Sequence, residues 1–350
     1  MQLAFYAPLK APDHPVPSGD RAMARALMQA LALNGAQVDL ASDLRCRDGA
    51  GDGAAQSALI AQADAALPAI IARGRAAGWQ AWITYHTYYK APDLIGPAAA
   101  RALGIPYLLV EATRARKRLG GPWDQFAQRA EAACDAADAI FYFTHRDHEA
   151  LAAYAPSGQA LIHLPPFLPR SDLPPAAKGH GLLAVGMMRV AAKLASYELI
   201  AQTLAHLPDE TTLTIAGDGP ARAQVDALMA PFADRVTFLG QCSPDALAQA
   251  YRSAGALIWP GVDEAFGMVY LEAQAHGLPV IAQDRAGVRD VLCPRDGGYA
   301  QVADGAQGLA ELAGRGAAPP EDIQQFIKTH HLIGAAAQTL AAGLARVGVQ

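Results

Sequence analysis

Short apolar runs alternate with helix-spaced apolar positions along the whole chain. Runs of four to six mostly apolar residues, which predict buried strands, occur in the first half at 2–7, 37–41, 82–85, 106–110 and 139–143. Between them, apolar residues recur every three or four positions, as in amphipathic helices, at 19–34, 57–77 and 92–103. The runs resume in the second half at 182–186, 212–216, 236–240, 256–260 and 279–282. This alternation predicts an α/β protein with a parallel sheet in each half.

A proline-rich stretch between the two halves is the predicted domain boundary. Residues 164–177 hold several prolines and few periodic apolar positions, as linkers do. We therefore predict a first domain at 1–165, a linker at 166–178, a second domain at 179–325 and a final segment at 326–350. A single helical pattern, from Glu321 to Val347, leads into and through that last segment.

Composition narrows the class of protein. A chain of 350 residues is long enough for two α/β domains, and its net charge of −5 lacks the basic excess typical of nucleic-acid binding. The four cysteines form no pair at metal-binding spacing, which favours reduced thiols in the cytoplasm over a disulfide framework. No stretch approaches the ~18 consecutive apolar residues of a spanning helix. We expect no transmembrane segment, and membrane contact only at the periphery of the inner face.

The stretch Pro260–Gly277 concentrates the candidate chemistry. Its apolar residues keep helical spacing up to Gly277, so Glu272 lies about two turns into a helix that is otherwise apolar. A carboxylate in such a place needs a ligand or a basic neighbour. Glu264 precedes the helix, at a start whose unsatisfied N–H groups attract an anion such as phosphate. Those N–H groups belong to Phe266, Gly267 and Met268. The structural alternative is a buried helix with an incidental acidic cap.

The full string resembles a known signature. P-x₃-E-x-F-G-x₃-L-E-A-x-A-x-G-x-P-V-I-A, from Pro260 to Ala282, resembles the donor site of the retaining glycosyltransferases of family 4, which have the GT-B fold. The resemblance implies two Rossmann-like domains facing each other across a cleft, with the last helix crossing back to the first domain. It implies that Glu264 faces the transferred sugar and that Glu272 binds the nucleotide ribose.

The resemblance extends to other positions, most densely from 182 to 292. It implies that Arg189 and Lys193 hold the donor diphosphate and that His86, at the end of a predicted strand, contacts the donor sugar. The remaining positions assigned to donor binding are Gly19 in a turn, Gly217 within AGDGP, and Gly240 with Gln241 beside the base. Family members commonly carry a Gly-Gly or Gly-Ile pair followed by glutamate where this chain has Gly287-Val288-Arg289-Asp290.

Two polar clusters remain outside this pattern. Four cations in five positions could meet an acceptor phosphate or an anionic lipid surface, or form a solvated face; they are Arg114, Arg116, Lys117 and Arg118. A second group, His145, Asp147 and His148, follows Thr144 and is read as a helix cap rather than a metal site. We predict no metal site and no cofactor.

The hypothesis is a retaining glycosyltransferase that uses a nucleotide diphosphate sugar as donor substrate, without a metal. The acceptor is not specified by the sequence; a saccharide, a lipid-linked molecule or a small molecule all remain open, since the first half shapes itself to the acceptor. Two alternatives also remain open. One is a sugar-nucleotide 2-epimerase of the same fold, and the other a non-catalytic subunit that binds sugar nucleotides.

Overall fold

The computed structural model describes residues 1–16 and 18–349 and divides into two compact units. The first comprises Met1–Pro165 and Ile333–Gln350, with Gln350 itself outside the described residues, and the second is Pro166–Leu332. The predicted linker at 166–178 thus lies at the start of the second unit.

The first unit is built on a six-stranded parallel sheet of order β2-β1-β3-β4-β5-β6. Its strands are β1 (Gln2–Tyr6), β2 (Gln37–Ser42), β3 (Ala81–Thr87), β4 (Tyr107–Ala112), β5 (Ala139–Tyr142) and β6 (Ala160–His163). The helices between them are α1 (Gly19–Leu33), α2 (Gly53–Ala77), α3 (Gly96–Leu103), α4 (Asp124–Ala136) and α5 (His145–Ala152). Strands covered on both faces must be apolar throughout, and residues 107–110 are accordingly all buried.

The second unit repeats this plan with a five-stranded parallel sheet of order β11-β10-β7-β8-β9. Its strands are β7 (Leu182–Val185), β8 (Leu213–Ala216), β9 (Val236–Gly240), β10 (Ala256–Ile258) and β11 (Val280–Ile281). Its helices are α6 (Ala192–Leu204), α7 (Arg222–Met229), α8 (Pro244–Ser253), α9 (Met268–Ala275), α10 (Gly305–Gly314) and α11 (Pro320–His330). The predicted α/β class with two Rossmann-like halves is confirmed.

Side-chain hydroxyls cap two helices of the first unit. The Ser18 hydroxyl accepts the Arg21 N–H at 3.2 Å and starts α1, and the Thr144 hydroxyl accepts the Asp147 N–H at 3.2 Å and starts α5. Both residues are extended and supply an acceptor to a backbone donor that the helix leaves unsatisfied. The cap interpretation of the segment that follows Thr144 is therefore confirmed.

The prediction of a single helix from Glu321 to Val347 is wrong. The chain forms α11, breaks at His331 and Leu332, and continues as α12 (Ile333–Arg346). The break is made by long-range bonds, because the Leu168 N–H donates to the His331 carbonyl at 2.8 Å and His331 Nδ1 bonds the Pro166 carbonyl at 2.7 Å. Beyond the break, α12 packs against α1 in the first unit, where the Asn34 side chain donates to the Ala337 carbonyl at 2.7 Å.

The expectation that no segment matches a spanning helix also needs correction. By length and composition α2, with 25 residues, is apolar enough to cross a membrane. One such helix is weak support for a span, since the helices of globular proteins can pass the same test. Here α2 joins β2 to β3, and its Gln56 amide donates to the buried Asp48 carboxylate at 2.7 Å. In this fold α2 therefore serves as a crossover helix.

Candidate functional site

A cavity of about 810 Å³ opens in the second unit where β7, β8 and β10 end. Ligand sites in parallel α/β sheets lie beyond the carboxyl ends of the strands, and this cavity occupies that position. Seven of the residues predicted to bind the donor or act on it line the cavity: Lys193, Gly217, Gln241, Glu264, Gly267, Met268 and Glu272. Residues far apart in the chain are thus brought together within one unit.

Glycines shape the floor of the cavity by close backbone approach. A Cβ on Gly217 would lie 1.9 Å from the Gly186 carbonyl oxygen, and one on Gly219 would lie 2.4 Å from that of Met188. The two loops are also joined by hydrogen bonds, with the Met188 N–H donating to the Asp218 carbonyl at 2.9 Å. Gly217 and Gly219 therefore allow the backbone after β8 to pack closely against the backbone after β7.

Glu264 is held by two donors inside the cavity. Its Oε1 accepts the Trp259 indole N–H at 2.9 Å and also bonds the Lys193 ammonium. The ammonium lies 5.3 Å from the Trp259 ring centroid, so the indole contacts both partners of the ion pair. Trp259 is fully buried directly after β10. Its place at the end of a strand was the only feature of the sequence that could have indicated its contact with Lys193 and Glu264. The structure thus places a carboxylate and a cation side by side in the cavity.

The helix behind Glu264 begins two residues later than predicted. Its first residue is Met268, because Gly267 has φ of +81° and ends the loop instead of continuing the helix. A Cβ at Gly267 would meet the Tyr270 ring at 2.6 Å, so the turn requires glycine. No side chain caps α9. Its first N–H groups therefore keep the anion-attracting character expected of a helix start.

The loop before α9 depends on Gly287, the glycine that precedes the positions where the sequence departs from the family. Gly287 has φ of +86°, and a Cβ there would lie 1.9 Å from the Ala265 carbonyl oxygen. The loop carrying Glu264 can therefore approach residue 287 only because that residue is glycine. The difference from the family at 287–290 leaves this contact intact.

Glu272 has one protein partner that the sequence did not indicate. Its Oε2 accepts the Tyr251 hydroxyl from α8 at 2.9 Å, and the Tyr251 ring stacks on His276 at 5.0 Å. Burial raises the pKa of Glu272, and the hydrogen bond from Tyr251 partly opposes that rise. Burial also lowers the pKa of His276, which keeps the imidazole neutral beside the carboxylate. Glu272 therefore faces the cavity with one oxygen held and with capacity to accept further hydrogen bonds.

We expect Glu272→Ala to weaken nucleotide binding by about tenfold to a hundredfold, because charge-assisted hydrogen bonds contribute about 1.5–3 kcal/mol. Tyr251→Phe should weaken it less and move the loss of affinity to higher pH. That variant removes the hydrogen bond that favours the ionised carboxylate, so the pKa of Glu272 rises further. Calorimetric titration with a nucleoside diphosphate at several pH values between about pH 5 and pH 8 measures both effects. This range is chosen because a raised carboxyl pKa affects binding there. Normal affinity in a folded Glu272→Ala protein would make the acid structural.

Three predicted donor-site residues of the second unit do not line the cavity. Arg189 is exposed, and its side chain forms no ion pair among the residues described, although it lies in the loop that leads into α6, where Lys193 is the second residue. Phe266 packs against the core of the second unit. Gly240 contributes its carbonyl, which accepts the Gly217 N–H at 2.8 Å, while its neighbour Gln241 lines the cavity.

His86 and Gly19 lie in the first unit. His86 Nδ1 is 2.9 Å from Asp20 Oδ1 and 3.8 Å from Glu111 Oε2. Both His86, with φ of +60°, and Glu111, with φ of +56°, hold backbone conformations that non-glycine residues rarely adopt. Nothing within 4 Å of residue 19 requires a glycine there. Contact of either predicted residue with a donor stays a prediction.

The charges around His86 outweigh its burial. Burial disfavours the imidazolium, but Glu111 and Asp20 favour it, and the net effect raises the pKa of His86. The hydrogen bond from His86 lowers the pKa of Asp20, whereas burial raises the pKa of Glu111. Folding therefore favours the protonated imidazole of His86 more than the unfolded chain does.

This arrangement predicts a pH-dependent contribution to stability. A histidine whose pKa is raised in the folded state stabilises the fold. This contribution is fully present below the unfolded pKa of about 6.5 and is lost as the pH rises through the folded pKa. The melting temperature of wild type should therefore exceed that of His86→Gln by the largest margin near pH 6, a pH chosen because it lies below the unfolded pKa. This margin should shrink as the pH rises. Thermal scans of both proteins across pH measure this difference. A difference that grew with rising pH would contradict the assigned protonation.

The predicted cation cluster separates into buried and exposed parts. Arg114 is buried and pairs with Glu131 at 2.8 Å and Asp135 at 2.7 Å. It is therefore a structural residue, and the suggestion that it meets an acceptor or a membrane is wrong. The other three cations form a short 3-10 turn, Arg116–Arg118, whose side chains are exposed or half-buried. In the described part of the chain, no three His, Cys, Asp or Glu side chains are placed to hold a metal.

Comparison with known proteins identifies the second unit. Residues 179–316 match the family described as "Glycosyl transferases group 1". A 101-residue segment is 35% identical to sulfoquinovosyl transferase SQD2 of Arabidopsis thaliana, covering 29% of this chain and 19% of that protein. A 97-residue segment is 36% identical to a GDP-mannose-dependent alpha-mannosyltransferase of Mycolicibacterium smegmatis, covering 28% and 25%. The matches thus span a quarter or less of these relatives.

Likeness of structure extends over the whole chain. The crystal structure of Alr3699/HepE from Anabaena in complex with UDP superposes with a TM-score of 0.70 at 14% identity, covering 99% of this chain and 100% of that one. At this identity the likeness concerns the fold alone. Residues 179–316 of the second unit are thus similar to glycosyl transferases of group 1, and the predicted GT-B fold is confirmed.

Proposed function

We propose that the protein is a retaining glycosyltransferase that moves a sugar from a nucleotide diphosphate sugar to an acceptor hydroxyl. The observation that carries the proposal is the cavity that holds Lys193, Glu264 and Glu272 together at the ends of three parallel strands. It contains a cation and a helix start for a diphosphate, and a buried carboxylate for hydroxyl groups. A group 1 family match over the same residues supports this use.

In this proposal the donor diphosphate lies between Lys193 and the start of α9. The ammonium is a compact charge that can leave Glu264 for a phosphate oxygen, and the unsatisfied N–H groups of α9 add positive potential. Glu272 accepts the ribose hydroxyls on the side of the cavity bounded by Tyr251. Gln241 lies where the family resemblance puts the base.

The chemistry assigned to Glu264 is electrostatic. When the bond between the anomeric carbon and the diphosphate breaks, positive charge grows on the sugar ring and negative charge grows on the leaving group. A fixed carboxylate stabilises the first and a fixed ammonium the second, and both are already oriented in the cavity by Trp259. Because Lys193 and α9 supply the positive charge, the proposal requires no metal.

The proposal places the protein in the cytoplasm. Cys46, Cys134, Cys242 and Cys293 are all free thiols, which fits a reducing compartment. Burial raises the pKa of Cys46 and that of Cys134 to about 12, which makes both thiols unreactive.

A panel of UDP-, GDP-, ADP- and TDP-sugars, scored by thermal stabilisation, tests donor binding, since a bound ligand raises the melting temperature according to its affinity. UDP-glucose is the first candidate, because the Anabaena protein has been crystallised with it. The stabilising donor is then incubated with and without candidate acceptors. We expect release of nucleoside diphosphate to depend on an acceptor. Interconversion of the sugar without acceptor, or binding with no turnover on any acceptor, would overturn transfer.

A further inference from the structure

A surface of the first unit combines aromatic rings with cations. Tyr89 lies 5.6 Å from Tyr88 and 5.5 Å from Trp123 between ring centroids, with both pairs of rings nearly perpendicular. Lys90 Nζ lies 5.6 Å from the Tyr89 centroid and 5.3 Å from that of Trp123. Arg118 Cζ lies 4.9 Å and 5.8 Å from the same two centroids. We call these five residues the aromatic-cation surface.

The two cations of this surface share their rings but have no acid. In the described structure neither Lys90 nor Arg118 forms an ion pair, and Arg118 Nε is buried without a hydrogen-bond partner. Like charges held over the same pair of rings repel each other, at a cost that falls when an anion binds between them. Arg116 and Lys117, in the same turn, add two more cations without acidic partners.

Nearby carboxylates are already committed to other donors. Asp48 accepts the backbone N–H groups of Ala50 and Asp52, each at 2.8 Å. Asp124, beside Trp123, accepts the Gly120 N–H at 2.7 Å and the Gln128 amide at 2.7 Å. These bonds leave both carboxylates charged, but the cations Lys90, Arg116, Lys117 and Arg118 outnumber them, so this face carries a local excess of positive charge in a protein whose net charge is −5.

From this geometry we propose that the aromatic-cation surface binds a phosphate ester carried by the acceptor. A phosphate carries more charge than a carboxylate and can bond two cations together, with Arg118 donating through its planar fork and Lys90 acting as a point charge. The rings hold both cations near one place and offer apolar contact to the group that bears the phosphate. The term acceptor rests on the proposed function, but the anion site itself does not.

Two sources of this chemistry are distinguished by experiment. Calorimetry measures binding of the protein to glycerol phosphate, with glycerol as blank. Sedimentation measures its binding to vesicles that contain phosphatidylcholine and phosphatidylglycerol in equal amounts. We expect Arg118→Gln and Lys90→Gln each to weaken binding of one probe about tenfold, as loss of a charge-assisted contact implies. Loss confined to glycerol phosphate indicates a water-soluble ester, and loss with vesicles a lipid-borne one.

The matched control is Arg129→Gln, which makes the same change of charge at an exposed position of α4 that forms no ion pair in the described structure. It should bind both probes like wild type. Equal loss in Arg129→Gln, or no binding of either probe by wild type, would overturn the proposal. Because nucleotide binding is scored separately, failure here is distinguishable from failure of the proposed function.

Discussion

Replacing Glu264 by glutamine lowers turnover by about a hundredfold or more, while affinity for the donor stays near the wild-type value. Glutamine keeps the shape of the side chain, and its amide oxygen can still accept the Trp259 N–H that now binds Glu264 at 2.9 Å. What is lost is the negative charge, which matters most when the sugar ring becomes positive in the transition state. Rapid-quench turnover with saturating donor, together with donor affinity from calorimetry, separates the two effects.

Asp263→Asn is the matched control for this experiment. Asp263 is the preceding residue, is exposed and has φ of +49°, a conformation that asparagine also adopts. The same loss of one charge there should leave turnover close to wild type. Unchanged turnover in Glu264→Gln would remove the carboxylate from the chemistry, and equal losses in both variants would show a general charge effect instead.

Lys193→Ala should have the second large effect, a loss of turnover of about a hundredfold, as expected for a contact worth ~3 kcal/mol that tightens while the diphosphate leaves. Lys193 lines the cavity and already faces an anion, the Glu264 carboxylate. Arg189 lies outside the lining, so Arg189→Ala should cost less in rate than Lys193→Ala does. Both variants should keep wild-type melting temperatures within the small change typical of surface positions.

Initial rates measured in excess EDTA complete that comparison. If Lys193 and the start of α9 do the work of a metal, wild-type activity persists in EDTA and the Lys193→Ala loss is the same with or without the chelator. Activity that disappears in EDTA and returns with Mg²⁺ or Mn²⁺ would show that a metal carries the leaving-group charge. Full activity in Lys193→Ala would place the diphosphate elsewhere.

Local patterns in the sequence determined most of the architecture. Periodicity and turn residues act over a few positions, so the strands, the caps at Ser18 and Thr144 and the boundary near 165 could be read directly. The signature from Pro260 to Ala282 also pointed to both glutamates, because a motif confined to one loop and one helix keeps its spacing in the fold. These features depend on neighbours along the chain.

Tertiary structure decided which side chains meet across long separations. Only folding brings Lys193 to Glu264, Tyr251 to Glu272 and Asp20 to His86, and no local spacing encodes those contacts. Folding also separates cations that look alike in sequence, because the acids that neutralise Arg114 come from α4 and those near Arg118 serve other donors. The same holds for the break at His331, which backbone bonds to a segment more than 160 residues earlier impose on a pattern that is locally helical.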